Sequence, residues 1–324
     1  MIKEFGKKIV ITILMFLAQR VVRRYKPRVI VVAGSVGKTS TKDAIFAVLK
    51  ESLYTRKSEK SFNSEIGVPL TILGLPNGWS NPLAWFGILL EGIGKLIWRE
   101  SYPELLILEI DTRKPGDLAQ FAWLHPDMVV LTRLGEIPAH IEFFENSDAM
   151  LDEKRILVES MKSDGVVFVN MDDDAIADFA HTLSRRVVAV GTGMKADFRI
   201  GHQEVSYTRD SIPKPIGISC RIDYGSLTQP LVLSGVLGWN HTYAGAFALA
   251  IGHEFKVNPV KSTEALGTYE SPPGRLKLVE GIHDTIIIDD TYNSSPVAAE
   301  AALEALSSIK TPGRKIAVFG DMLE

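Results

Sequence analysis

Val29-Ile30-Val31-Val32-Ala33-Gly34-Ser35-Val36-Gly37-Lys38-Thr39-Ser40-Thr41 is the stretch that decides how this chain folds. Its first five residues are an unbroken apolar, mostly β-branched run, the pattern of a strand buried on both faces. Two glycines follow, three positions apart, and residues 42–50 then carry helical periodicity. Strand, glycine loop and helix N-terminus in that order make an anion cradle. Glycines let backbone N–H groups converge on phosphate oxygens, Lys38 adds a point charge, and the Thr39 hydroxyl can ligate magnesium. Gly34, Ser35, Val36, Gly37, Lys38, Thr39 and Ser40 are therefore the expected nucleotide-phosphate residues. The motif is the short G-x-x-G-K-T form, because Val32 stands where a full Walker motif has its first glycine.

Outward from this loop, β-branched runs alternate with helical patterns. Residues 105–110, 128–132, 166–170 and 187–190 read as strands; 116–123, 149–160 and 175–183 read as helices. Such alternation predicts an α/β fold with a mostly parallel sheet flanked by helices. From 198 to 233 the pattern becomes strand-rich with turn signals, which predicts an antiparallel β patch joined to that sheet. Helical periodicity returns at 243–255 and 296–306 around a strand at 285–289, and a last strand is expected at 315–319. This tail reads as the start of a Rossmann-like C-terminal domain. The expected division is an N-terminal helix over 1–27, a central ATP-binding domain over 28–297 and the beginning of another domain over 298–324.

Composition narrows the function classes. The chain has 324 residues, 46% of them hydrophobic, and a net charge of −3, which gives no general electrostatic case for a nucleic-acid partner. Its single cysteine, Cys220, excludes an internal disulfide and a thiolate metal cluster, and fits a cytoplasmic setting. Near the N-terminus, residues 9–18 are apolar apart from Thr12, preceded by Lys7 and Lys8 and followed by Arg20, Arg23 and Arg24. The run is shorter than the roughly 18–20 apolar residues that span a bilayer. Two readings stand side by side: a helix lying at the inner face of a membrane through residues 1–24, with Ile9, Ile13, Phe16 and Leu17 on one side, or a helix docked on the protein's own core. Residues 83–98 are also strongly apolar, yet Glu91 and Lys95 mark a polar face, so an amphipathic helix is expected there.

Further segments agree in order with one family. Asn63-Ser64-Glu65-Ile66-Gly67-Val68-Pro69-Leu70-Thr71 resembles the N-x-E-I-G-x-P-L-T stretch of the Mur ligases, specifically of the branch that adds D-alanyl-D-alanine to a muramoyl peptide. Leu108-Glu109-Ile110 with Pro115-Gly116-Asp117 resembles the family's acidic strand end and following turn, and residues 132–140 resemble its T-N-I-G-x-x-H segment. Asp290-Thr291-Tyr292-Asn293-Ser294-Ser295-Pro296 and Phe319-Gly320-Asp321-Met322-Leu323-Glu324 complete a likeness that runs from about residue 28 to the end.

The resemblance implies ATP-dependent amide formation through an acyl phosphate, with a UDP-muramoyl peptide and D-alanyl-D-alanine as substrates and ATP with two magnesium ions as cofactors. It implies Glu109, His140 and a carbamylated Lys154 as metal ligands beside Thr39, and Lys38 as the lysine that neutralises transferring phosphate. Arg275 would contact ATP phosphates, and Asp290 and Asn293 would lie by the ribose. On bare physical grounds Glu109, ending a buried strand, needs either a cation partner or a metal. The segment Gly238-Trp239-Asn240-His241 departs from the family's G-x-H-N order, which puts the adenine contact expected of Asn240 in question; Arg133 and Asp111 are smaller departures. Members of the family place a uridine-nucleotide domain before the loop, where 27 residues stand here, and a larger C-terminal domain after it, so ATP binding is expected of this stretch more firmly than complete ligation. The rivals are another short-loop ligase of the folylpolyglutamate or cyanophycin synthetase type, and a non-catalytic ATP-binding scaffold of wall synthesis.

Overall fold

The computed structural model describes residues 2–59, 62–135 and 141–322. Helix α1 (Ile2–Tyr25) leads into β1 (Arg28–Ala33), and the glycine loop turns the chain into α2 (Lys38–Leu49). Next come β2 (Thr55–Lys57), α3 (Gly67–Leu73), α4 (Pro82–Ile97) and β3 (Leu105–Glu109). Strand β4 (Met128–Leu131), α5 (Ser147–Glu159), β5 (Val166–Asn170), α6 (Asp174–His181) and β6 (Arg186–Gly191) continue the alternation. Strands β7 (Phe198–Tyr207), β8 (Pro215–Tyr224) and β9 (Leu227–Ser234) precede α7 (Asn240–Glu254) and α8 (Pro259–Gly267). A small hairpin of β10 (Lys277–Glu280) and β11 (Ile286–Asp289) is followed by α9 (Pro296–Ser308).

Nine strands form one sheet in the order β2-β3-β1-β4-β5-β6-β7-β8-β9. All neighbours as far as β7 are parallel, and β7-β8-β9 are antiparallel, as the change of pattern at 198 predicts. Alternation along β1 sends Ile30 and Val32 to one face, under α2 and α7, and Val29 and Val31 to the other, under α1, α3, α5 and α6. The central strands are apolar on both faces for this reason, and their C-terminal ends converge on one edge of the sheet.

Three expectations are corrected. Residues 116–123 do not form an α-helix: Gly116 has φ 89°, the Asp117 carboxylate accepts the Arg113 and Lys114 N–H groups, and only a 3-10 turn, Ala119–Leu124, follows. Residues 315–319 form no strand and are exposed, since no strand edge among the described residues receives their backbone groups. The N-terminal helix is longer than its apolar run, and Leu17, expected on one side with Ile9, Ile13 and Phe16, turns inward instead. Leu14, Leu17, Ala18 and Val21 are buried in the protein's own core, whereas Ile9 and Phe16 are exposed. Among the described residues no helix is long and apolar enough to cross a membrane.

Candidate nucleotide and metal site

The glycine loop is held against β4. Ser35 and Val36 N–H donate to the Arg133 carbonyl at 2.7 and 3.1 Å, and the Thr132 hydroxyl donates to the Val36 carbonyl at 2.7 Å. Gly34 has φ 140°, and a Cβ there would land on Thr132 Oγ1, so the close approach of loop and strand requires glycine. Gly37 caps α2 in the left-handed region, with φ 85°. The first N–H groups of α2 therefore open onto the sheet edge, where the helix end attracts an anion. Lys38 Nζ folds back over the loop, donating to the Gly34 carbonyl at 2.8 Å and the Ser35 carbonyl at 3.1 Å, and pairs with Asp111 at 3.0 Å.

Behind the loop lies a buried charge cluster. Glu109, 1% exposed at the end of β3, lies 3.4 Å from the fully buried Lys42, which also stands 3.6 Å from Asp43; Lys57 closes on Asp43 at 2.6 Å. Asn63 donates to Glu109 Oε1 at 3.3 Å, while Oε2, although close to Lys42, has no hydrogen bond among the described residues. The cation that Glu109 needs is thus Lys42, which the sequence reading missed. Lys42 lies one helical turn after Lys38 on the same side of α2, a spacing that allows the pairing without singling it out. The Glu109 carboxylate and the Thr39 hydroxyl are oxygen donors of the kind magnesium takes, a cation that leaves its remaining positions to phosphate and water, although among the described residues no group of three or more His, Cys, Asp or Glu could hold a metal ion by itself.

Lys154 is 3% exposed on α5. Burial pushes its ammonium down to about 8, with Asp111 opposing, Lys38 acting with burial, and Glu153 opposing. Its neighbour Glu153 accepts the Gly116 and Leu118 N–H groups at 2.9 and 2.6 Å, tying α5 to the turn after β3. Asp173 does the same for the loop after β4, accepting the Leu134 and Gly135 N–H groups, each at 2.8 Å. His140, further along that loop, lies outside the described residues.

The opposite wall comes from the other end of the chain. One cleft is lined by residues 35–40 together with Asn240, His241, Arg275, Leu276, Asp290, Asn293 and Ala298. Asp289 accepts the Gly274 N–H at 3.0 Å and Asp290 accepts that of Leu276 at 3.2 Å, so the two aspartates hold the Arg275 turn against the segment after β11. The Arg275 guanidinium stacks 4.1 Å over the Tyr292 ring. Burial raises the Asp290 carboxyl above its ordinary range, against the Leu276 N–H and Arg275. His241 is buried and donates through Nε2 to the Arg275 carbonyl at 2.8 Å; burial holds its pKa down at about 4, so the ring is neutral. The exchanged order Asn240-His241 therefore sends the histidine inward to brace the arginine turn and leaves Asn240 on the cleft.

Known families and relatives match this chain along most of its length. The model of the Mur ligase middle domain matches residues 92–226, and that of the Mur ligase glutamate ligase domain matches 274–324. The UDP-N-acetylmuramoyl-tripeptide--D-alanyl-D-alanine ligase of Bacillus subtilis (strain 168) is 28% identical over 316 residues, which is 97% of this chain and 60% of that protein. The chain thus spans about three fifths of the length of this curated relative. A MurF structure from Acinetobacter baumannii superposes with TM-score 0.73 at 20% identity, covering 92% of this chain and 58% of that one. MurF of Thermotoga maritima, solved in complex with ADP, gives 0.72 at 22%, covering 93% and 61%. Two models of one family matching in series, with glycine loop, acidic strand end and arginine turn converging on one sheet edge, show that the chain belongs to the Mur ligase family.

Proposed function

We propose that this chain carries the ATP-using site of a peptidoglycan-precursor ligase, which joins a UDP-muramoyl tripeptide to D-alanyl-D-alanine by an amide bond. The observation that carries the reading is the cleft itself: the loop from Ser35 to Ser40 faces Asn240, Arg275, Asp290 and Asn293 from the far end of the sequence. The motif order and the name of the Bacillus subtilis relative support the choice of substrates.

In the first step a substrate carboxylate oxygen attacks the γ-phosphorus of ATP, the β–γ bridging P–O bond breaks, and ADP leaves. The amine of D-alanyl-D-alanine then attacks the acyl carbon, the bond to phosphate breaks, and an amine proton is lost as the amide forms. Both steps depend on positioning and on neutralising oxyanions, so no protein nucleophile is needed. The loop amides and Lys38 would hold the outer phosphates once Lys38 leaves Asp111, and Arg275 would meet the phosphates from across the cleft. Asp290, Asn293 and Asn240 would orient the nucleoside. Thr39 and Glu109, with His140, would hold magnesium, which supplies neutralisation of phosphate charge. Two ions and carbamylation of Lys154 complete the reading; a carbamate on so buried an amine would add the anion that a second cation requires. We place the reaction on the cytoplasmic side, where ATP and uridine nucleotides are available.

The test is phosphate release by the full-length protein with ATP, magnesium, UDP-muramoyl tripeptide and D-alanyl-D-alanine. Release that requires both substrates is expected; ATP turnover indifferent to them would refute the ligase assignment. Lys38→Ala is expected to abolish turnover, and an unchanged rate would move the phosphate site elsewhere.

A further inference from the structure

Helix α4 is apolar on two opposite sides. Ile88 and Gly92 face the protein and are buried, Gly92 so closely that a Cβ there would meet Leu17 of α1 at 3.0 Å. Leu83, Phe86, Leu90, Ile93 and Ile97 fall at helical spacing on the other side, and all five are exposed, Leu83 to 81%. An apolar stripe this long has no reason to face water in a free surface helix. Helix α1 extends it. The two helices pack together, Arg24 donating to the Leu96 carbonyl, and Ile9 and Phe16 stand exposed on α1.

The rim of this surface is cationic. Residues 5–42 contain no acidic side chain, although the chain as a whole carries −3. Lys7, Lys8, Arg20, Arg23 and Arg24 all lie on α1 and all are exposed, with Arg20 stacked 4.9 Å over the Phe16 ring. Lys95 pairs with Glu91 on α4 and with Glu100 just beyond it at 3.7 and 3.5 Å, and with Arg99 beside them the two acids of this segment meet two cations. Trp79 and Trp98 are exposed just before and just after α4. Tryptophan at the ends of an apolar stripe and arginine along its margin are what a headgroup region selects. A second copy of the chain is disfavoured, because it would bring cationic rim against cationic rim.

We propose that the exposed faces of α1 and α4 form one docking surface for an anionic lipid bilayer, on which both helices lie in the plane of the interface without crossing it. The apolar stripe of α4 enters the headgroup boundary and the arginines of α1 meet lipid phosphates. Lys7, on the same helix, pairs with Glu65 at 3.2 Å, two residues beyond the Asn63 that contacts Glu109. Lys7 is thereby engaged with the protein itself, which leaves Lys8, Arg20, Arg23 and Arg24 to supply the charge of the rim.

The experiment is co-sedimentation of the full chain with phosphatidylcholine vesicles, with and without about 30% phosphatidylglycerol. Binding to the anionic vesicles at least tenfold above the neutral ones is expected, falling as salt rises from about 0.1 to about 0.5 M. A Phe86→Asp/Leu90→Asp variant is expected to lose at least about tenfold in vesicle binding. Arg20→Gln/Arg23→Gln is expected to lose the preference for anionic lipid. Both variants are to keep the wild-type circular dichroism and ATP affinity, which separates loss of docking from loss of fold. Absence of wild-type binding to either vesicle, or binding unchanged in the Phe86/Leu90 variant, would overturn the proposal. So would a dimer in solution that the same variant dissolves, since the face would then belong to a second copy.

Discussion

Glu109 and Lys42 form a pair with almost no access to water, and removing Lys42 leaves the Glu109 charge in an apolar surrounding. Lys42→Met leaves Glu109 and Asp43 as two carboxylates behind the loop, with Lys57 reaching only Asp43. A loss of about 3–5 kcal/mol in urea unfolding is expected, and Lys42→Met/Glu109→Gln should recover most of it, because the orphaned charge is then gone. A double variant as unstable as the single one would show that Lys42 acts through packing alone. His241 gives a second handle. Its folded pKa of about 4 lies below the ordinary 6.5, so between those values the unfolded chain binds the proton that the folded chain refuses. Stability is full above about pH 6.5, declines as the pH falls toward 4, and loses on the order of 3 kcal/mol from this group. His241→Asn should flatten that part of the curve of unfolding free energy against pH; an unaltered slope would assign the acid sensitivity elsewhere. The sequence made Glu109 legible as a charge in need of a partner, but identifying Lys42 or His241 takes knowledge of which helix faces turn inward.

At the scale of elements, the strand-loop-helix unit was readable in advance because its signals are local: a β-branched run, two glycines three positions apart, and a lysine at the helix start. Gly34→Ala tests the collision. Its Cβ would meet Thr132 Oγ1, and the loop must leave β4, breaking the hydrogen bonds of Ser35 and Val36 to the Arg133 carbonyl. ATP affinity is expected to drop at least tenfold, about 1.4 kcal/mol, in isothermal titration; wild-type affinity would show that the loop tolerates displacement. The segment 116–123 was misread because its periodicity is helical while its hydrogen-bonding partners are not local. Glu153, 37 positions after Gly116, takes the Gly116 and Leu118 N–H groups and fixes a turn there. Helix α4 shows the opposite case: its existence was plain from 83–98, but its second apolar side becomes visible only once Ile88 and Gly92 are seen to face the core.

Across the whole molecule, the parallel sheet followed from alternating strand and helix patterns, yet its order did not. β1 sits between β3 and β4, and β2, only three residues long, takes the edge. Pairings between strands so far apart in sequence are set by which helix layers fit together, a property of packing that no single segment carries. The same reasoning explains residues 315–319, whose alternation of Ile316, Val318 and Phe319 looks like a strand. All three are exposed, and a β pattern without an edge to pair with cannot hold its backbone groups. The last described anchor of the tail to the sheet is Lys310, whose N–H donates to the Tyr207 hydroxyl at 2.6 Å. Residues 311–322 are exposed throughout, so ending the chain at Lys310 uncovers no core. The chain ending at Lys310 is expected to unfold within about 0.5 kcal/mol of the 324-residue chain in urea. A loss of several kcal/mol would mean that the segment pairs with the sheet in solution and that the strand pattern read from the sequence is realised there.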